Sequence, residues 1–231
     1  MVVYNARMNV FLFDIDGTLI SSGGAGKAAL EAAMASAFGI AEVAGRVEFS
    51  GRTDRAIVRD LLTLHGIEET PENVRRLLAA YLGHLPDCLA GCAGLVLPGI
   101  ASLLEQLAGR DRTVVGLLTG NIREGARVKL GHYGLFHHFV LGGFGDDHLC
   151  RNDVAREALA EVRRHLNGSV RLDRLWVIGD TPLDVRCARA IGAKVAAVGT
   201  GWHSMEELAA AQPDLLLADL TDPGPLLARC G

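Results

Sequence analysis

Short, wholly apolar runs recur along the chain, separated by Ala-, Leu- and Arg-rich stretches with helical periodicity. The runs are residues 10–13, 114–118, 176–178, 195–198 and 215–217, with a weaker one at 139–141. Apolar on both faces, they read as buried strands of a sheet covered by helices on either side. The alternation is that of parallel strands joined by crossover helices. Helices are expected at 100–108, 122–133, 154–166 and 183–191, and Ser204-Met205-Glu206-Glu207 fits a capping box that opens another. The fold class is α/β.

One interval breaks the pattern. Between residues 21 and 94 the sequence predicts only helices, at 27–38, 55–65 and 72–85, the last with Thr70 as N-cap and Pro71 at its first position. Gly-rich segments flank the interval at Ser21-Ser22-Gly23-Gly24 and from Gly91-Cys92-Ala93-Gly94 to Pro98-Gly99, and glycine supplies the freedom a hinge requires. The reading is an all-helical module, residues 21–94, inserted into a core of residues 1–20 and 95–231. A chain of 231 residues, 49% of them hydrophobic and 22% charged, has ample material for such a core and is not disordered. A net charge of -4 without blocks of like charge argues against a nucleic-acid or anionic-membrane binder. The first residues lack the apolar stretch of a signal peptide, and no run reaches membrane-spanning length, so a cytoplasmic location is expected. Five scattered cysteines give neither a disulfide framework nor a zinc site. The oligomeric state is left open.

Three strands end in polar residues: 11–13 run into Asp14, 114–118 into Thr119, and 176–178 into Gly179-Asp180. In an open parallel sheet, ligands bind beyond the carboxyl ends of the strands. Each residue alone reads as a cap or turn former, but together they make a constellation. Asp14 and Asp16 can sit side by side, one suited to nucleophilic attack and the other to proton transfer. Such close anions call for a cation, and with Asp180 and Asp184 supplying only oxygen ligands, magnesium suits better than zinc.

Asp14-Ile15-Asp16-Gly17-Thr18 resembles the first motif of the haloacid dehalogenase-like hydrolase superfamily. Thr119 is similar to its second motif, and Gly179-Asp180 through Asp184 to its fourth. The resemblance implies a Rossmann-like sheet with a helical cap between motifs one and two, which matches the insertion. It implies Asp14 as nucleophile and Asp16 as general acid and base. Thr119 with the N–H groups of Gly120 and Asn121 would hold the phosphoryl group. Mg²⁺ would lie on Asp14, the Asp16 carbonyl and Asp180, with Asp184 and Thr18 in support. It implies a small phosphorylated metabolite as the partner.

The family's third motif, usually a lysine, has no plain counterpart. Only Lys27, Lys129 and Lys194 are lysines. Lys129 falls ten positions past Thr119 within a helix, which reads as a solvated face too far from the strand end. Arg151, in the loop 146–153, is assigned the role, since a guanidinium can hold phosphate and carboxylate together. In the cap, Ser50-Gly51-Arg52-Thr53-Asp54-Arg55 resembles a specificity loop. Arg52 and Arg55 either meet an anionic part of the substrate or face solvent while Thr53 caps the next helix.

Several signals are set aside. Gly23-Gly24-Ala25-Gly26-Lys27 fails the phosphate-loop pattern, with Ser21 in place of its first glycine and Ala28 after the lysine. His132, His137, His138 and His148 do not have zinc-pair spacing. The expected function is a magnesium-dependent phosphatase. The alternatives are a sugar-phosphate mutase, which keeps both aspartates, and an idle binding module on the same fold. Asp16 argues against a dehalogenase, and a cap whose lysine is Lys27 alone argues against a phosphonate hydrolase.

Overall fold

The computed structural model describes residues 8–43, 45, 47–168 and 170–230. Strand β1 (Asn9–Phe13) leads through a tight turn to the two-residue β2 (Ile20–Ser21). Three helices follow: α1 (Ala25–Phe38), α2 (Asp54–Leu64) and α3 (Pro71–Gly91). After β3 (Leu95–Val96) the chain alternates: α4 (Ile100–Ala108), β4 (Thr113–Leu118), α5 (Arg123–His132), β5 (Gly142–Gly143), α6 (Arg151–His165), β6 (Leu175–Gly179). It ends with α7 (Pro182–Ala190), β7 (Lys194–Val198), α8 (Met205–Ala210), β8 (Leu215–Leu217) and α9 (Gly224–Leu227). The main sheet is six-stranded, in the order β5-β4-β1-β6-β7-β8. Every pairing in it is parallel, as the apolar runs required. Among the described residues no helix is long and apolar enough to cross a membrane.

The two-residue period of a strand divides the core. Phe11, Phe13, Val115, Leu117, Trp176 and Ile178 pack on one face against Leu103 and Leu107 of α4 and Ala126 and Leu130 of α5. Val10, Leu12, Val114, Leu175 and Val177 pack on the other against Val154, Ala158 and Val162 of α6 and Val185 and Ala188 of α7. Helices α1–α3 enclose a third cluster, with Ala29, Ala33, Met34, Ile57, Leu61, Leu77, Tyr81 and Leu85 in it. Ile122, just before α5, joins that cluster.

The structure departs from the sequence reading in four places. The weak strand at 139–141 is displaced to Gly142–Gly143, because residues 136–138 turn as a 3₁₀ helix and Phe139 packs edge-on against Phe13. β2 and β3 pair antiparallel at the base of the helical segment, where only loose connections were expected. α3 does not stop at Leu85. It continues through Pro86 to Gly91, since the buried stripe of Tyr81, Leu85 and Leu89 carries the helix past the missing N–H. Arg151 is the first residue of α6 rather than part of the preceding loop.

Candidate active site

Strand β1 lies between β4 and β6, which come much later in the sequence, so the strand order reverses at β1. The carboxyl ends of these three strands bring Asp14, Thr119 and Asp180 together, as expected at a switch point. Asp14 is anchored by its N–H to the Ile178 carbonyl at 2.9 Å. The chain then turns sharply: the N–H groups of Leu19 and Ile20 both point to the Ile15 carbonyl, and the Gly17 N–H to the Ile20 carbonyl. Gly17 has φ +85°, and a Cβ there would collide with the Asp180 carboxylate. The turn therefore requires glycine twice over, for its backbone angle and for its closeness to Asp180. Thr18 donates its hydroxyl to Asp180 at 3.0 Å.

The loop after β4 is folded around Thr119, which is fully buried. Its Oγ1 accepts from the Asn121 N–H at 3.2 Å and from the Asn121 side-chain amide at 2.9 Å. The same amide donates to Asp16 at 2.9 Å. Asn121 thus links the second motif to the first, and its Oδ1 is buried with no partner among the described residues.

The end of β6 is organised by a capping box at the start of α7. Asp184 Oδ2 accepts from the Thr181 N–H at 3.0 Å and from its hydroxyl at 2.7 Å. Asp184 Oδ1 accepts from Arg151, whose other terminal nitrogen is 3.4 Å from Asp14. Arg151 thus reaches Asp14 and Asp184 at once, while its buried Nε–H has no partner among the described residues.

Charge in this space is unbalanced. Asp14, Asp180 and Asp184 each offer a carboxylate oxygen within 4.8 Å of the others. Burial, opposed by Arg151 but reinforced by Asp184, pushes Asp14 up to about 6. Burial and the facing Asp184 and Asp14 hold Asp180 well above the usual carboxylate range. Removing a proton from either group costs free energy that a positive ion would return. An all-oxygen donor set with no thiol or imidazole fits a hard divalent ion. Asp184 already serves Thr181 and Arg151 with both oxygens, which leaves Asp14 and Asp180 as the side chains available to such an ion.

Lys129 overturns its reading as a solvated helix position. It is only 4% exposed, and its ammonium lies 2.6 Å from Asp16. Gly26 of α1 covers it, and although burial works to lower its pKa, the carboxylate of Asp16 beside it, with Asp54, holds it above the usual lysine value. Asp16, whose side chain keeps 38% of its exposure, is held below the usual range. Burial works to raise it, but Lys129 and Asn121 outweigh that effect. Arg52 pairs with Asp60 at 2.5 Å and Arg55 with Glu69 at 2.5 Å. Thr53 caps α2 by accepting from the Ala56 N–H at 3.1 Å. The loop that carries them nevertheless rests on the core. A Cβ on Gly51 would press on Thr181 and Leu183, and Ser50 lies 3.4 Å from His203.

One buried acid was given no role of its own in the sequence reading, although it lies in the 50–55 loop. Asp54, at the start of α2, has its Oδ2 2.9 Å from the Ile122 N–H and its own N–H 2.7 Å from the Gly120 carbonyl. Behind a capping threonine, an aspartate reads as an ordinary first-turn residue, and nothing local marks it as reaching another helix.

Residues 11–189 match the haloacid dehalogenase-like hydrolase family. The phosphoglycolate phosphatase of Synechococcus elongatus is 30% identical over 93% of this chain and 95% of its own length. That of Rhodospirillum rubrum is 29% identical over 83% and 79%. Among solved structures, a hydrolase from Pseudomonas syringae superposes with a TM-score of 0.71 at 22% identity, covering 96% of this chain and 98% of that one. The matched stretch runs from β1 to the end of α7 and so takes in every strand end described above; the chain belongs to the haloacid dehalogenase-like hydrolase family, as a phosphatase-like member.

Proposed function

We propose that the chain is a Mg²⁺-dependent phosphatase of small phosphomonoesters that works through an aspartyl-phosphate on Asp14, with residues 21–94 as its cap. The observation that carries this reading is the set Asp14, Asp16, Thr119, Arg151 and Asp180 at one end of three neighbouring strands. The relatives named phosphoglycolate phosphatase favour a short phosphorylated carboxylic acid, and phosphoglycolate is the first substrate to test.

Asp14 attacks phosphorus in line with the ester oxygen, so a carboxylate–phosphorus bond forms as the phosphorus–ester bond breaks. Asp16, ionised in the free protein, takes up a proton as the anionic substrate binds beside it, gives that proton to the departing oxygen, then takes one from the water that cleaves the aspartyl-phosphate. The cycle returns both groups to their starting states. Thr119 and the Gly120 and Asn121 N–H groups hold the phosphoryl oxygens, and the Asn121 N–H leaves its long bond to Thr119 to do so. Arg151 aligns Asp14 through its guanidinium and offers the spare Nε–H to the anion. Lys129 fixes Asp16 in place. Mg²⁺, held by Asp14, the Asp16 carbonyl and Asp180 with Asp184 and Thr18 in support, would supply neutralising charge for the phosphoryl oxygens.

Asp14→Asn is expected to abolish Mg²⁺-dependent hydrolysis of an aryl phosphate while the circular dichroism of the protein stays as in the wild type. Wild-type turnover in that variant would overturn the nucleophile assignment. A wild type idle toward a broad phosphate panel with magnesium would overturn the phosphatase reading in favour of a binding module.

A further inference from the structure

Asp54 lies in the inserted helical segment, yet both of its polar backbone and side-chain bonds go to the loop that follows β4. Its N–H donates to the Gly120 carbonyl, and its carboxylate accepts from Ile122, the residue that opens α5. Two bonds from one residue fix the peptide planes on both sides of Asn121. The approach is close: a Cβ on Gly120 would overlap the Arg52 carbonyl, so the backbones of the two loops touch there. Thr53 completes the contact against Gly145, whose N–H in turn donates to the Asn121 carbonyl at 2.8 Å.

A buried carboxylate is costly unless something demands it. Asp54 is 8% exposed, and among the described residues it forms no ion pair. Lys129, the nearest compensating charge, is committed to Asp16. An ordinary first-turn acid on α2 would sit in solvent. What this one obtains by burial is the hold on residues 120–122.

We propose that Asp54 is a positioning residue that sets the shape of the phosphate-binding loop 119–122, so that the loop is ready for a phosphoryl group only while residues 50–55 are seated on it. The inserted segment then does more than cover the site: its docking is what completes the anion cradle. This rests on the phosphatase reading above, and the acceptor at position 54, rather than its charge, is the element that matters.

The test compares Asp54→Ala, Asp54→Asn and Asp54→Glu, using aryl phosphate turnover, inhibition by inorganic phosphate and amide exchange at Ile122. Asp54→Ala is expected to weaken phosphate inhibition by about tenfold or more, with KM rising more than kcat falls. Ile122 should exchange about tenfold faster as its acceptor is lost. Asp54→Asn, which keeps an acceptor in place, should restore both. Asp54→Glu keeps the charge but moves it by a methylene and should not. Should Asp54→Ala not fold, Asp54→Ser, whose hydroxyl falls short of Ile122, replaces it. Unchanged phosphate inhibition in the alanine or serine variant overturns the proposal, as does an asparagine variant no better than alanine. A wild type that binds no phosphate overturns the phosphatase reading itself, and Ile122 exchange still reports the latch in that case.

Discussion

Lys129 shows how a single residue's role depends on its covering. Six positions into α5, it stands roughly 9 Å along the axis from the helix start at 1.5 Å per residue, which from sequence alone puts it out of range of the strand end. The turn after β1 comes to meet it, and Gly26 and Tyr81 of the inserted helices close over it. Lys129→Met is expected to lower kcat by about 100-fold with only a modest loss of stability, because Asp16 is partly solvated and water takes up some of the lost attraction. A solvent-facing lysine would leave kcat untouched. Gly17→Ala is expected to weaken Mg²⁺ binding measured by calorimetry, since the new methyl must displace Asp180 and the backbone angle costs a further ~1 kcal/mol or more. Wild-type affinity would refute that contact. Asp14, Asp16, Thr119 and Asp180 were legible because their chemistry is written in strand-end positions of one short motif each. Lys129 and Asp54 were not, because their partners are 113 and 68 positions away.

At the scale of elements, the sequence located the long strands and, α3's end apart, the long helices to within a few residues, since burial on both faces and helical periodicity are local signals. The misplacements have tertiary causes. β5 is two glycines whose pairing depends on β4 beside them, and α3 outlasts its proline because buried leucines lie on both sides of it. The glycines at the base of the insertion suggested slack, yet Gly23 is pressed against the Ala93 backbone where the two connections run together. α2 carries a pH-dependent cost. Burial, against the pull of Lys129, raises Asp54 from 3.8 in the unfolded chain to about 6. Folding thus favours the protonated form. Its contribution is fully present below about pH 3.8 and is lost as pH rises through about 6. Asp54→Asn should match the wild type near pH 4 and exceed it by up to about 3 kcal/mol at pH 7.5. Melting curves at the two pH values check this, and a gap that stays constant would sink it.

Across the whole molecule, the acidic strand ends connect stability to metal. An ion that binds only the folded chain adds about 2.7 kcal/mol at a hundred times its Kd. Mg²⁺ should therefore raise the melting temperature at pH 7.5, and Asp180→Asn should remove most of that rise. An equal rise in the variant would place the ion elsewhere. The strand order has a consequence of a different kind. β1 is made first but sits in the middle of the sheet, and its two neighbours begin only at Thr113 and Leu175. As the chain leaves the ribosome, Asn9–Phe13 must wait through more than a hundred residues for its first partner and for the second until β6 emerges. A chain interrupted before that point exposes one open edge of its most apolar strand. It also carries Asp14 with neither Asp180 nor Asp184 to complete the site, so an incomplete molecule of this protein is an aggregation hazard and holds no assembled catalytic centre.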